Sequence, residues 1–159
     1  LQEIITKDAE LNSDDNLMGF EFKLSNIQGF CDGDDGGAGV MLIVGENIIL
    51  AYVRLKEGVR ECMINVFSDE AYENSIDCTD QEEVRFVISM DIDQGTWKSH
   101  KVVLQDGTST NFDMTGIAVP DIGSEDNIKA GIYLQQRTGT NNADFDYIIF
   151  DGLTVDGQY

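Results

Sequence analysis

The side chains best placed by type and spacing to do chemistry lie between Asn127 and Val155. Side chains of an extended strand alternate between faces, so Ile128, Ala130, Ile132 and Leu134 point one way. Lys129, Tyr133, Gln135 and Arg137 then share the opposite face, with Gly131 leaving a gap among them. Lys and Arg neutralise carboxylates, Gln bonds hydroxyls, and a Tyr phenol stacks on a ring or moves a proton. Such a row suits a groove that holds sugar. An exposed sheet tyrosine with no chemistry would give the same pattern at Tyr133.

Three further groups have candidate roles. The stretch Cys31-Asp32-Gly33-Asp34-Asp35-Gly36-Gly37 packs Asp32, Asp34 and Asp35 into a Gly-rich loop. Ca²⁺ takes several oxygen ligands on a pliable backbone, so these three carboxylates form a candidate site; a solvated acidic turn uses the same residues. It is not the EF-hand spacing. Cys62 and Cys78 flank a stretch that reads as strand, loop and strand. A disulfide closing that loop would contribute about 3 kcal/mol and leaves Cys31 odd; three buried free thiols in a reducing compartment are the other reading. With His100 the single histidine, no zinc pattern arises. The single tryptophan, Trp97, could stack on a sugar ring or pack in the core.

The elements that must position these residues are strands. No segment keeps a helical period, and alternation recurs along the chain. Phe20, Phe22 and Leu24 alternate with Glu21, Lys23 and Ser25. Val84, Phe86, Ile88, Met90 and Ile92 form an equally clean face. Val40–Val44 and Ile48–Leu55 flank Gly45-Glu46-Asn47 and predict a hairpin. Both faces of Ile48–Val53 are apolar, which predicts a central strand covered on both sides. Val59–Phe67, Thr96–Leu104, Ile117–Val119 and Tyr147–Val155 are further strands, and Asp69–Asp80 reads as an acidic loop with at most one helical turn. Nine or ten short strands joined by Gly, Asn and Asp turns predict one all-β domain spanning residues 1–159, a sandwich or jelly roll of two antiparallel sheets. Ile128–Gln135 and Val84–Ile92 are expected on the same concave sheet.

The charge narrows the partners. Ten Lys+Arg against thirty Asp+Glu give a net charge of −20. So negative a surface repels nucleic-acid phosphate and anionic lipid headgroups, and anionic polysaccharide unless cations intervene. No stretch approaches the roughly 20 apolar residues of a membrane span. The chain starts at Leu1 rather than Met, as expected of a processed protein or a piece of a larger one.

Lys129-Ala130-Gly131-Ile132-Tyr133-Leu134-Gln135 resembles the last block of the alginate lyases of polysaccharide lyase family seven, approximately Tyr-Phe-Lys-Ala-Gly-x-Tyr-x-Gln. The likeness runs on through a polar loop into Tyr147–Val155. It implies a concanavalin-like jelly roll and β-elimination on uronate polymers, with Tyr133 as the catalytic acid and base. Arg85, in the hairpin before the block, is a further candidate cation for the groove. The family's Arg-Ser/Thr-Glu-Leu-Arg block meets only Asp8-Ala9-Glu10-Leu11-Asn12, which lacks both arginines. Its Gln-Ile-His block has no counterpart; Asn26-Ile27-Gln28 is the nearest stretch and lacks the histidine.

The fold-forming block survives and the cationic catalytic set does not. The expectation is therefore a non-catalytic, secreted, carbohydrate-associated module whose partner is a polysaccharide or other glycan. It requires no cofactor, with Ca²⁺ the one candidate ion. An active polysaccharide lyase is the first alternative. A self-associating subunit of an extracellular fibre or coat is the second, supported by the odd cysteine and the apolar N-terminal stretch Ile4-Ile5-Thr6.

Overall fold

The computed structural model of the chain describes residues 2–12, 16–28, 36–56, 59–68, 70–121, 127–135 and 142–157. Among them are twelve strands and no helix. They are β1 (Gln2–Leu11), β2 (Leu17–Gln28), β3 (Gly36–Val44), β4 (Asn47–Lys56), β5 (Val59–Phe67), β6 (Ala71–Asp77), β7 (Val84–Asp91), β8 (Thr96–Leu104), β9 (Ser109–Asn111), β10 (Ile128–Gln135), β11 (Asn142–Asp151) and β12 (Leu153–Val155). They form a seven-stranded sheet in the order β12-β1-β10-β3-β4-β5-β6 and a five-stranded sheet in the order β11-β2-β7-β8-β9. All pairings are antiparallel. The all-β class and the two-sheet sandwich expected from alternation are what the chain adopts.

The core lies between the inner faces. From the five-stranded sheet come Phe20, Phe22 and Leu24 of β2 and Val84, Phe86, Ile88 and Met90 of β7, all fully buried. Phe22 stacks on Phe86 with centroids 4.7 Å apart. The seven-stranded sheet supplies Val40, Leu42, Ile49, Ala51, Val53, Cys62, Ile64 and Ala130. Through the middle of β2, β3, β4, β5 and β7 every second residue is therefore removed from water, which fixes the register there, because a one-residue slip would expose the whole apolar set.

The β3–β4 hairpin forms as expected. Val44 pairs with Asn47 across Gly45-Glu46, and Gly45 takes the positive φ of 59° that a tight hairpin turn needs. β4 is central and buried on both faces, with Ile49, Ala51 and Val53 inward and Leu50 and Tyr52 outward.

Four expectations are corrected. Asp69–Asp80 is not a loop: it contains edge strand β6, paired with β5 from Glu61↔Asp77 to Phe67↔Ala71. An edge strand buries little, so its alternation rests on Tyr72, Asn74 and Ile76 alone, while Glu73 stands out as a charge against edge pairing. Ile117–Val119 is not a strand; the stretch 112–121 crosses from β9 toward β6, held where Tyr72 Oη and Asn74 Nδ2 donate to Asp113 O. Tyr147–Val155 is not one strand. It breaks at Gly152 (φ 68°), and β11 and β12 join opposite sheets. Finally, Ile128–Gln135 and Val84–Ile92 lie on different sheets, because alternation shows that a strand buries one face but not which strand lies beside it.

Candidate functional site

The outer face of the seven-stranded sheet carries the row first read on β10. Lys129, Tyr133 and Gln135 share this face, as alternation requires. The pairing register aligns them in rows with residues of five other strands. Tyr133 lies opposite Gly39 of β3 and Ile4 of β1. Gly39 lies opposite Tyr52 of β4, which faces Met63 of β5. The flanking row runs Gln135, Gly37, Arg54, Glu61, Asp77, and on the other side run Gly131, Met41, Leu50, Asn65, Glu73.

This face is apolar at its centre. Met41, Leu50, Tyr52, Met63 and Tyr133 form a second buried cluster, separate from the sandwich core. Met63 is 0% and Tyr133 8% exposed. The Tyr52 and Tyr133 rings meet edge to face with centroids 5.4 Å apart, a favoured aromatic geometry. Glycine makes room for them. A Cβ on Gly39 would stand 2.4 Å from Tyr52 Cβ, and one on Gly37 3.1 Å from the Tyr52 ring and 3.4 Å from the Tyr133 ring.

Polar groups ring this cluster. Tyr133 Oη donates to Gln135 Oε1. Asn65 Nδ2 donates to Tyr52 Oη at 3.3 Å, while Asn65 Oδ1 is buried without a partner. Arg54 bonds Glu61 at 2.9 Å and Glu73 at 2.8 Å. Burial opposes the Arg54 charge, but Glu61 and Glu73 together with Tyr52 outweigh it and hold the guanidinium firmly protonated. Burial pushes the Tyr52 phenol up. Lys129 pairs with Asp8 at 2.8 Å. Arg54 and Lys129 are thus both already paired with carboxylates of this face.

The other sequence-derived candidates lie elsewhere. Arg85 sits on the outer face of the five-stranded sheet, bonded to Glu21 at 3.1 Å. The expectation that it joins Tyr133 in one groove is therefore corrected: β7 and β10 belong to opposite sheets, and the two side chains point away from each other across the core. Trp97 packs against the core and donates to Ile117 O at 2.9 Å, the packing role. His100 pairs with Ile88 on β7, also on the other sheet. Arg137, Cys31, Asp32, Asp34 and Asp35 fall outside the described residues. Among the described residues no cluster of three or more His, Cys, Asp or Glu side chains is arranged to hold a metal. Cys62 and Cys78 are both free and buried.

Tyr52, Arg54, Met63 and Asn65 were not singled out from sequence. One signal was present: the two-faced apolar run Ile48–Val53 implied that the outer face of β4 is covered. Asn65 within Met63–Val66, a polar residue in an otherwise apolar stretch, was a second. Comparison with protein-family models, curated proteins and solved structures returns no match.

Proposed function

We propose that this chain is a non-catalytic, secreted carbohydrate-associated module that presents the outer face of its seven-stranded sheet to a neutral, hydroxyl-rich polysaccharide. The observation that carries this reading is the pairing of Arg54 with Glu61 and Glu73 and of Lys129 with Asp8. β-Elimination on a uronate needs a cation or amide to neutralise the substrate carboxylate, a base for the proton at C5 and an acid for the leaving oxygen. Tyr133 and Tyr52 are the two phenols of the cluster; the Tyr133 hydroxyl donates to Gln135 and the Tyr52 hydroxyl accepts from Asn65. A bound polyuronate would meet more carboxylates than cations on this face.

A neutral glycan meets a different surface. Gln135, Arg54, Glu61, Glu73 and Lys129 supply donors and acceptors for hydroxyls around the apolar cluster. Tyr52 and Tyr133, largely covered, form the rigid floor beneath these groups rather than a stacking platform.

A glycan array probed with the folded protein tests this. Neutral polysaccharides are expected to bind, polyuronates to bind weakly or not at all, and Gln135→Ala to weaken binding roughly tenfold. In parallel, alginate, glucuronan and pectate should give no new ultraviolet absorbance. Turnover that disappears in Tyr133→Phe would overturn the proposal in favour of a lyase.

A further inference from the structure

Cys62 and Cys78 take no part in the outer face, yet their placement is specific. Cys62 lies on the inner face of β5, opposite Ile76 of β6. Cys78 follows the end of β6, and its amide donates to Arg60 O at 3.0 Å, which sets it diagonally across from Cys62 on the same face. Both are at most 1% exposed within the main core, and Cys78 is a neighbour of the Cys62 thiol. They join the last two strands of the seven-stranded sheet, where edge strand β6 has β5 as its one partner in that sheet.

We propose that Cys62 and Cys78 are the site of an intramolecular disulfide that forms as the chain folds and is then sealed in the core. Thiol–disulfide exchange proceeds through the thiolate. Burial pushes the Cys62 thiol up, and a thiol kept protonated away from water is inert. The bond must therefore close before the sandwich does, with a low-molecular-weight disulfide as oxidant. One cysteine thiolate attacks oxidised glutathione and releases one glutathione thiolate. The other cysteine then attacks the protein sulfur of the mixed disulfide and releases the second. Two protein thiols lose two electrons and two protons, and one glutathione disulfide becomes two thiols. The bond closes a loop of about sixteen residues through β6 and ties the sheet edge to the core; loops of this length gain stability through a less disordered unfolded chain.

The test uses the unmodified chain. It is reduced in denaturant and refolded either with reductant or with reduced and oxidised glutathione. No Lys or Arg separates the two cysteines, but Glu61, Glu70, Glu73 and Glu82 do bracket them, so a Glu-specific protease releases peptides 62–70 and 74–82. Oxidative refolding is expected to give a monomer lighter by two hydrogens, with those two peptides linked and one alkylatable thiol, in peptide 22–46. Its melting temperature should exceed that of the reduced protein by roughly 6–12 °C. Once folded, it should resist reductant until denatured. Linkage of Cys31 to either residue, a stable glutathione adduct, three alkylatable thiols or ready reduction of the folded form would each overturn the proposal.

Discussion

The outer faces of the two sheets are built from opposite materials. On the five-stranded sheet, Lys23 bonds Glu83 and Asp146, Arg85 and Tyr147 both bond Glu21, and Ser25 donates to Asp146. These groups remain in contact with water and form a solvated face of the kind an acidic protein needs for solubility. On the seven-stranded sheet the same outward positions hold Met41, Leu50, Tyr52, Met63 and Tyr133, all buried. The contrast teaches that charge count alone does not describe this surface: one sheet is two-sided in the ordinary sense, and the other has apolar side chains on both of its faces.

The largest effect expected from breaking that contrast comes from Met63→Ala. Removing a fully buried side chain should cost about 2–5 kcal/mol, although the residue points away from the sandwich core. Val87→Ala, on the outer face of the five-stranded sheet, should stay within about 0.5 kcal/mol. Urea unfolding of both variants decides it, and equal losses would mean that the outer cluster is not a second core.

A smaller separation is expected between the two arginines. Arg54 has 17% of its side chain exposed and serves two glutamates. Arg54→Ala leaves those carboxylates without their partner and should cost about 1–3 kcal/mol. Arg85, with 43% of its side chain exposed, lies in the range where ion pairs are screened by water, and Arg85→Ala should cost under about 1 kcal/mol. If the two variants unfold at the same denaturant concentration, the Arg54 network is no more sheltered than a surface pair.

The smallest effect is alkaline. Burial raises the Tyr52 phenol above its ordinary value of 10.0, so the folded state holds that proton more tightly than the unfolded chain. Its contribution to stability is complete below pH 10 and is lost as pH rises through the folded value. Tyr52→Phe should flatten this part of the stability profile above pH 10. Tyr147 is also raised, first by burial and then by Glu21, but it lies nearer the surface, so Tyr147→Phe should change the profile less. Identical profiles for the two variants would remove the distinction in burial.

Much of this molecule follows from alternation. The inward sets Phe20, Phe22, Leu24 and Val84, Phe86, Ile88, Met90 are legible because period two has one physical cause, a strand with a buried face. The same rule placed Lys129, Tyr133 and Gln135 on one side of β10 and marked β4 as covered on both faces. The β3–β4 turn was legible because few residues besides glycine accept the φ of Gly45. Tertiary structure alone decided which strands are neighbours. Nothing local in Arg85 says that β7 pairs with β2 while β10 pairs with β1 and β3, so its exclusion from the Tyr133 face needed the fold. Edge strand β6 was hidden for a related reason: with one neighbour in its sheet it buries too little to leave a pattern. The burial of Tyr133 beneath its neighbours likewise depends on Gly37, Gly39 and Tyr52, distant in sequence, because a side chain's exposure is set by what the fold brings over it.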